Sequence, residues 1–116
     1  MPFSLNQQLI FAVRGANSEL VIERLANGAD INYQDTTHGS ALVAAINNND
    51  TDMLRLLIEK GADVNAQNGF GIAPLEVALH HAADDVVKLL VYSGARLQSR
   101  LRPHWRERLQ KCLNKT

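Results

Sequence analysis

At 116 residues, with 46% hydrophobic and 21% charged side chains, the chain has the length of one domain and a globular composition, which excludes disordered, collagen-like and coiled-coil chains. Its charge balances overall but divides along the chain: residues 1–95 carry 5 Lys and Arg against 11 Asp and Glu, and residues 96–116 carry 7 against 1, a −6 body with a +6 tail. No segment approaches the ~20 apolar residues of a membrane helix, the start MPFSLNQQ lacks the basic-then-apolar order of a secretory signal, and the lone Cys112 allows neither an internal disulfide nor a cysteine-based zinc site. A cytoplasmic location is the expectation.

The first element opens at Ser4, whose spacing to Gln7 is that of a capping box. Leu9 and Ala12 follow, then Leu20, Val21 and Leu25, and the phrase GADIN closes the stretch at 28–32. The phrase returns as GADVN at 61–65 and, worn, as GARLQ at 94–98, which sets Gly28, Gly61 and Gly94 33 residues apart. Apolar columns keep the same register: Leu9, Leu42, Leu75; Ala12, Ala45, Ala78; Leu20, Met53, Val86; Val21, Leu54, Val87; Leu25, Ile58, Val91. A period of this length carried by so many columns is an internal structural repeat.

Within the second unit, Leu42, Ala45 and Ile46 lie at helical spacing, and Met53, Leu54, Leu57 and Ile58 form a second apolar stripe, so each unit is predicted to hold two short helices. Between them, INNNDTD supplies turn formers and a cap for the second helix. Gly61 falls where a helix takes a left-handed residue just past its end, and Lys60 suits the last turn. Residues 62–70 show no helical pattern, and Asn68-Gly69 signals a tight turn.

The third unit opens on Pro74, which suits a first helical position. The chain then ends in RPHWRERLQKCLNKT, where Leu101, Trp105, Leu109, Cys112 and Leu113 share one side of a predicted helix and Arg102, Arg106, Glu107, Arg108 and Lys111 lie elsewhere. One pair of short helices cannot bury its stripe alone, so units must stack and the end units need polar outer surfaces. The columns Leu56/Leu89 and Leu57/Leu90 accordingly become Glu23 and Arg24 in the first unit.

Helix, turn, helix, Gly-Ala-Asp-Val-Asn and a turn-rich connector at this period resemble the ankyrin repeat. The resemblance covers residues 4 to about 98 and implies an all-α ankyrin-repeat solenoid. Its parts are three helix-turn-helix repeats (4–35, 36–68, 69–99) joined by hairpin-like loops, and a C-terminal capping helix over 101–114, together forming a single domain. The family's Thr-Pro-Leu-His opening is matched in part by Ser40-Ala41-Leu42-Val43 and Ala73-Pro74-Leu75-Glu76. Ser40 can cap; Ala73 cannot, and a lost cap costs roughly 1 kcal/mol. In the family the Asp and Asn of the repeated phrase brace the next connector; Arg96 and Gln98 replace them in the third copy, where no full repeat follows.

Chemistry is sparse. His80-His81 and Asp84-Asp85 would form i, i+4 pairs on a continuous helix, but the register puts the histidines at the end of one helix and the acids at the start of the next, where Asp is an ordinary first-turn residue. Cys112 lies on the apolar side of its helix. Gly69-Phe70-Gly71 is too short for a dinucleotide loop, and no nucleophile has a partnered base. The chain is read as a non-enzyme without cofactor or metal.

The resemblance implies a binding module that uses connector tips and the exposed side of the first helices, which line a concave strip. By position that strip holds Arg14; Tyr33, Thr36, Thr37, Asn47 and Asn48; and Gly69, Phe70, Ile72, His80 and His81. Tyr33 and Phe70 matter most, because an aromatic on a connector tip has little beneath it to cover it and aromatics are enriched in binding hot spots. The expectation is a monomer that binds another protein and no membrane, with steric inhibition or toxin neutralisation as its role. The alternative is binding of nucleic acid or an acidic partner by the basic C-terminal helix.

Overall fold

The computed structural model describes residues 3–35, 39–96 and 103–114, with the backbone alone at His81, Pro103, His104 and Trp105. Thr36 and Thr37, and the side chains of His81 and Trp105, lie outside the described residues. Three helix pairs follow one another, α1 (Leu5–Arg14) with α2 (Ser18–Ala26), α3 (Ala41–Asn47) with α4 (Thr51–Glu59), and α5 (Pro74–His81) with α6 (Asp84–Tyr92); α7 (Pro103–Asn114) comes last. Between the first and second pairs, β1 (Gln34–Asp35) and β2 (Gly39–Ser40) form a short antiparallel hairpin with Gln34 opposite Ser40. The architecture is an all-α solenoid.

Helix starts follow the residue types. The Gln7 N–H donates to Ser4 Oγ at 3.1 Å while the Ser4 N–H donates to Gln7 Oε1 at 2.9 Å, the reciprocal capping box. Asn17, Ser40 and Asp50 cap α2, α3 and α4 by accepting from the N–H groups of Leu20, Val43 and Met53 at 3.1, 3.2 and 3.0 Å. Helices α5 and α6 begin at Ala73 and Ala83 without a side-chain cap. Acids in their first turns, Glu76 in one and Asp84 with Asp85 in the other, suit the positive end of the dipole.

The second helices end alike. Gly28, Gly61 and Gly94 take φ of +101°, +99° and +99°, a region that excludes most side chains. Each closes the helix with the same pair of bonds, in the first repeat Gly28 N–H to Leu25 O at 3.1 Å and Ala29 N–H to Arg24 O at 3.0 Å. The 33-residue glycine period is therefore a backbone period. Helices α1 and α3 end in a similar way on the left-handed Ala16 (φ +56°) and Asn49 (φ +51°); α5 does not, since Ala82 has φ −92°.

Stacking buries the shared columns. Leu9, Leu42 and Leu75, Ala12, Ala45 and Ala78, and Val21, Leu54 and Val87 are all buried. Full burial of a Val or Leu is worth roughly 1.5–3 kcal/mol, which is what holds α1, α3 and α5 side by side and α4 against α6, with α7 laid across α5 and α6. In the column of Leu57 and Leu90, both at 0% exposure, the Arg24 side chain is 20% exposed; its Nη1 ion-pairs with the exposed Glu23 at 2.9 Å while its Nε is buried, so most of the side chain covers the outer face of the first repeat.

Candidate protein-binding face

The connectors are held by one side chain from the repeat before. Asn32 Oδ1 accepts the Asp63 N–H at 2.8 Å, and Asn65 Oδ1 accepts the Arg96 N–H at 2.9 Å while its Nδ2 donates to Gly94 O at 3.0 Å. Asp30 and Asp63 shape their own turns, accepting the N–H groups of Asn32 and Asn65 at 2.9 Å each. In the first connector Asn6 of α1 takes that role, its Oδ1 accepting the Asp30 N–H at 2.6 Å. Sequence reasoning missed Asn6, which has no partner in register. Gln34 Nε2 donates to Gln67 O at 2.9 Å, so the connector that carries Tyr33 lies beside the one that carries Phe70.

The tip of the last described connector is built on Asn68. The Phe70 and Ile72 N–H groups donate to Asn68 Oδ1 at 2.8 and 3.1 Å, the Asn68 N–H donates to Ile72 O at 3.0 Å, and the Gly71 N–H donates to Asn68 O at 2.9 Å. The tight turn expected from Asn68-Gly69 is present, but the left-handed residue is Gly71 (φ +75°) rather than Gly69. Phe70 stands at its apex, 90% exposed, with Ile72 at 38%. Tyr33 is partly buried, and its N–H donates to Asp30 O at 3.1 Å.

Along the first helices, Arg14, Asn47 and His80 occupy one column and are exposed at the ends of α1, α3 and α5. Asn48 is also exposed, yet its Nδ2 donates to Arg14 O at 3.1 Å and Val13 O at 3.4 Å, so it ties the end of α1 to repeat two. The strip is thus an exposed aromatic, an apolar neighbour, amides, one arginine and a histidine.

Elsewhere, α5 and α6 are separate helices, so the His80/Asp84 and His81/Asp85 spacings do not share one helical face. Asp84 instead faces α7: the Cys112 thiol donates to its Oδ1 at 3.0 Å and Arg108 Nη2 lies 3.6 Å from the same oxygen. Cys112 is buried, as its position on the apolar side implied, and has a polar partner that the sequence did not suggest. Among the described residues no group of three or more His, Cys, Asp or Glu is placed to hold a metal, and no helix is long and apolar enough to cross a membrane. Shallow hollows of about 330, 390 and 250 Å³ lie at the open end of repeat one and along the second helices, away from the strip.

A family model described as ankyrin repeats, in three copies, matches residues 9–100 and stops short of α7. No curated protein matches the chain. Ankyrin repeats are in general protein–protein interaction modules. With three stacked helix pairs, glycines at one backbone conformation and a family match over most of its length, the chain belongs to the ankyrin-repeat family.

Proposed function

We propose that the chain is a non-catalytic, monomeric module that covers the surface of a partner protein and thereby inhibits it, as a stoichiometric neutralising partner of a toxin or enzyme. The observation that carries the reading is Phe70. A phenyl ring at 90% exposure contributes nothing to the core, and the two N–H groups donating to Asn68 hold its backbone in place. An exposed aromatic on a held backbone suits a hot spot, because little backbone entropy is left to lose on binding. Ile72 and His80 flank it by position, and Arg14, Asn47 and Asn48 extend the same face.

The reading as a nucleic-acid or acidic-partner surface draws less support. Arg108, one of the cations it counts on, is turned into the carbonyls of α5, and Glu107 sits beside Arg106 on the exposed side of α7. Affinity capture with the full chain and with a Phe70→Ala, Tyr33→Ala double variant tests the proposal. A protein retained by the first and lost by the second, and whose activity falls to zero at one equivalent of the chain, is the expected result. Capture that survives the double variant and collapses steeply with salt would move the site to α7.

A further inference from the structure

Repeat three departs from its neighbours at the turn between its helices. After α1 and α3, a left-handed residue closes the turn with two bonds: Ala16 and Asn17 donate to Val13 and Ala12 (3.0 Å each), and Asn49 and Asp50 donate to Ile46 and Ala45 (3.0 and 3.1 Å). Ala82, in the same column, keeps φ −92°, and α5 runs one residue further in register than α1 and α3, to His81. Among the described residues the backbone closure there is Ala82 N–H to Ala78 O, 2.8 Å, while the Ala83 N–H crosses to Asn49 Oδ1 of the preceding repeat at 2.7 Å. Ala78 O keeps a backbone donor, but among the described residues Leu79 O and the Ala82 carbonyl of the open turn receive none, unlike Val13 O and Ile46 O.

Arg108 supplies donors to both. From α7, its Nη1 donates to Ala78 O at 3.1 Å and to Leu79 O, its Nη2 donates to Ala82 O, and the same guanidinium lies 3.6 Å from Asp84 at the start of α6. Leu79 stands in the column of Val13, whose carbonyl receives Asn48 Nδ2 from repeat two. One planar fork with several N–H donors can serve carbonyls on both sides of a turn; an ammonium cannot do so from a single position.

We infer that Arg108 is a positioning residue: from outside the repeats it fixes the open turn after α5, and with it the His80 corner of the binding face, in the role a fourth repeat's side chain would otherwise have. Its bearing on partner binding rests on the function proposed above, but the dependence of the corner on Arg108 does not and is measured on the free protein.

The test compares the full-length chain with Arg108→Gln, Ala82→Gly and the double variant, by three readouts. These are amide hydrogen exchange at Ala82 and Ala83, the His80 imidazole resonances, and the rate at which a thiol reagent reaches the buried Cys112, which reports the docking of α7. Arg108→Gln is expected to speed exchange at both amides by about tenfold, the equivalent of one lost hydrogen bond from a charged donor, to displace the His80 resonances and to quicken Cys112 labelling. Adding Ala82→Gly lets the turn close through a left-handed residue as it does at Ala16 and Asn49. It should return exchange and the His80 resonances toward wild type while Cys112 labelling stays fast. If Arg108→Gln unfolds the chain, Arg108→Lys takes its place, with smaller displacements and the same rescue expected. Unmoved His80 resonances in the Arg108 variant, or a double variant in which Ala82→Gly restores nothing, would overturn the inference.

Discussion

Asn32 and Asp63 lie 31 residues apart and meet through one bond, the Asp63 N–H donating to Asn32 Oδ1 at 2.8 Å. The same relation joins Asn65 to Arg96, so the polar edge of the stack is a ladder in which each repeat sets the shape of the next connector.

Truncating a rung leaves a backbone N–H to water rather than to a fixed acceptor. Asn32→Ala is expected to lower unfolding free energy by about 1 kcal/mol. Asn65→Ala should cost at least as much, since it also loses the bond from Nδ2 to Gly94 O. Denaturant midpoints for the two variants check this, and two neutral results would refute the ladder as a source of stability.

Gly61 and Gly69 differ in backbone, not in space. Nothing lies within 4 Å of a Cβ placed on either, but only Gly61 is left-handed, at φ +99°. Gly61→Ala should therefore destabilise by about 1–2 kcal/mol through conformation alone. Gly69→Ala should be neutral or stabilise by up to about 1 kcal/mol, by restricting the unfolded chain. Thermal melts of the pair separate the two effects.

Ser40 and Ala73 share a column and a closely similar extended backbone, φ −100° with ψ 169° against φ −88° with ψ 157°. Ser40→Ala is expected to cost about 1 kcal/mol and Ala73→Ser to gain about 0.5–1 kcal/mol, by giving α5 the cap that α3 already has. Opposite signs in equilibrium unfolding would confirm that the two helix starts are equivalent.

Glu76 stands where repeat two has Val43, and it is 3% exposed with Oε1 receiving no hydrogen bond. A buried carboxylate oxygen without a donor is a net cost. Glu76→Val should raise stability by about 1–3 kcal/mol, seen as a higher denaturant midpoint with unchanged slope.

Phe70→Ala should leave stability within about 0.5 kcal/mol of wild type, because its ring is in water. Leu54→Ala, at 0% exposure, should cost about 2–5 kcal/mol. A Phe70 variant that unfolds early would mean that the ring supports the fold and would remove the argument for its role in binding.

Features written by one residue type at one place were legible in the sequence: the 33-residue period, the left-handed glycines, the Ser4/Gln7 box, the Ser40 and Asp50 caps, and the turn at Asn68. Features that depend on where two distant segments meet were not. Arg108 on the polar side of an amphipathic helix reads as a solvated cation, yet its acceptors lie 26 to 30 residues earlier, on a turn whose departure from the repeat pattern is visible only in the fold. Asn6 reads as an ordinary first-turn residue until the first connector is seen to need an acceptor. Tyr33 and Phe70 are both aromatics on turn-rich segments, and only the fold separates the half-covered ring from the bare one.

The rungs run one way, from each unit to its successor, and this gives the pile a grain. Tandem duplication of the middle unit would match every amide with an acceptor, so the array can lengthen from within. At its far end, growth is barred until α7 and its guanidinium are displaced, which makes that helix a stop signal as well as a cover.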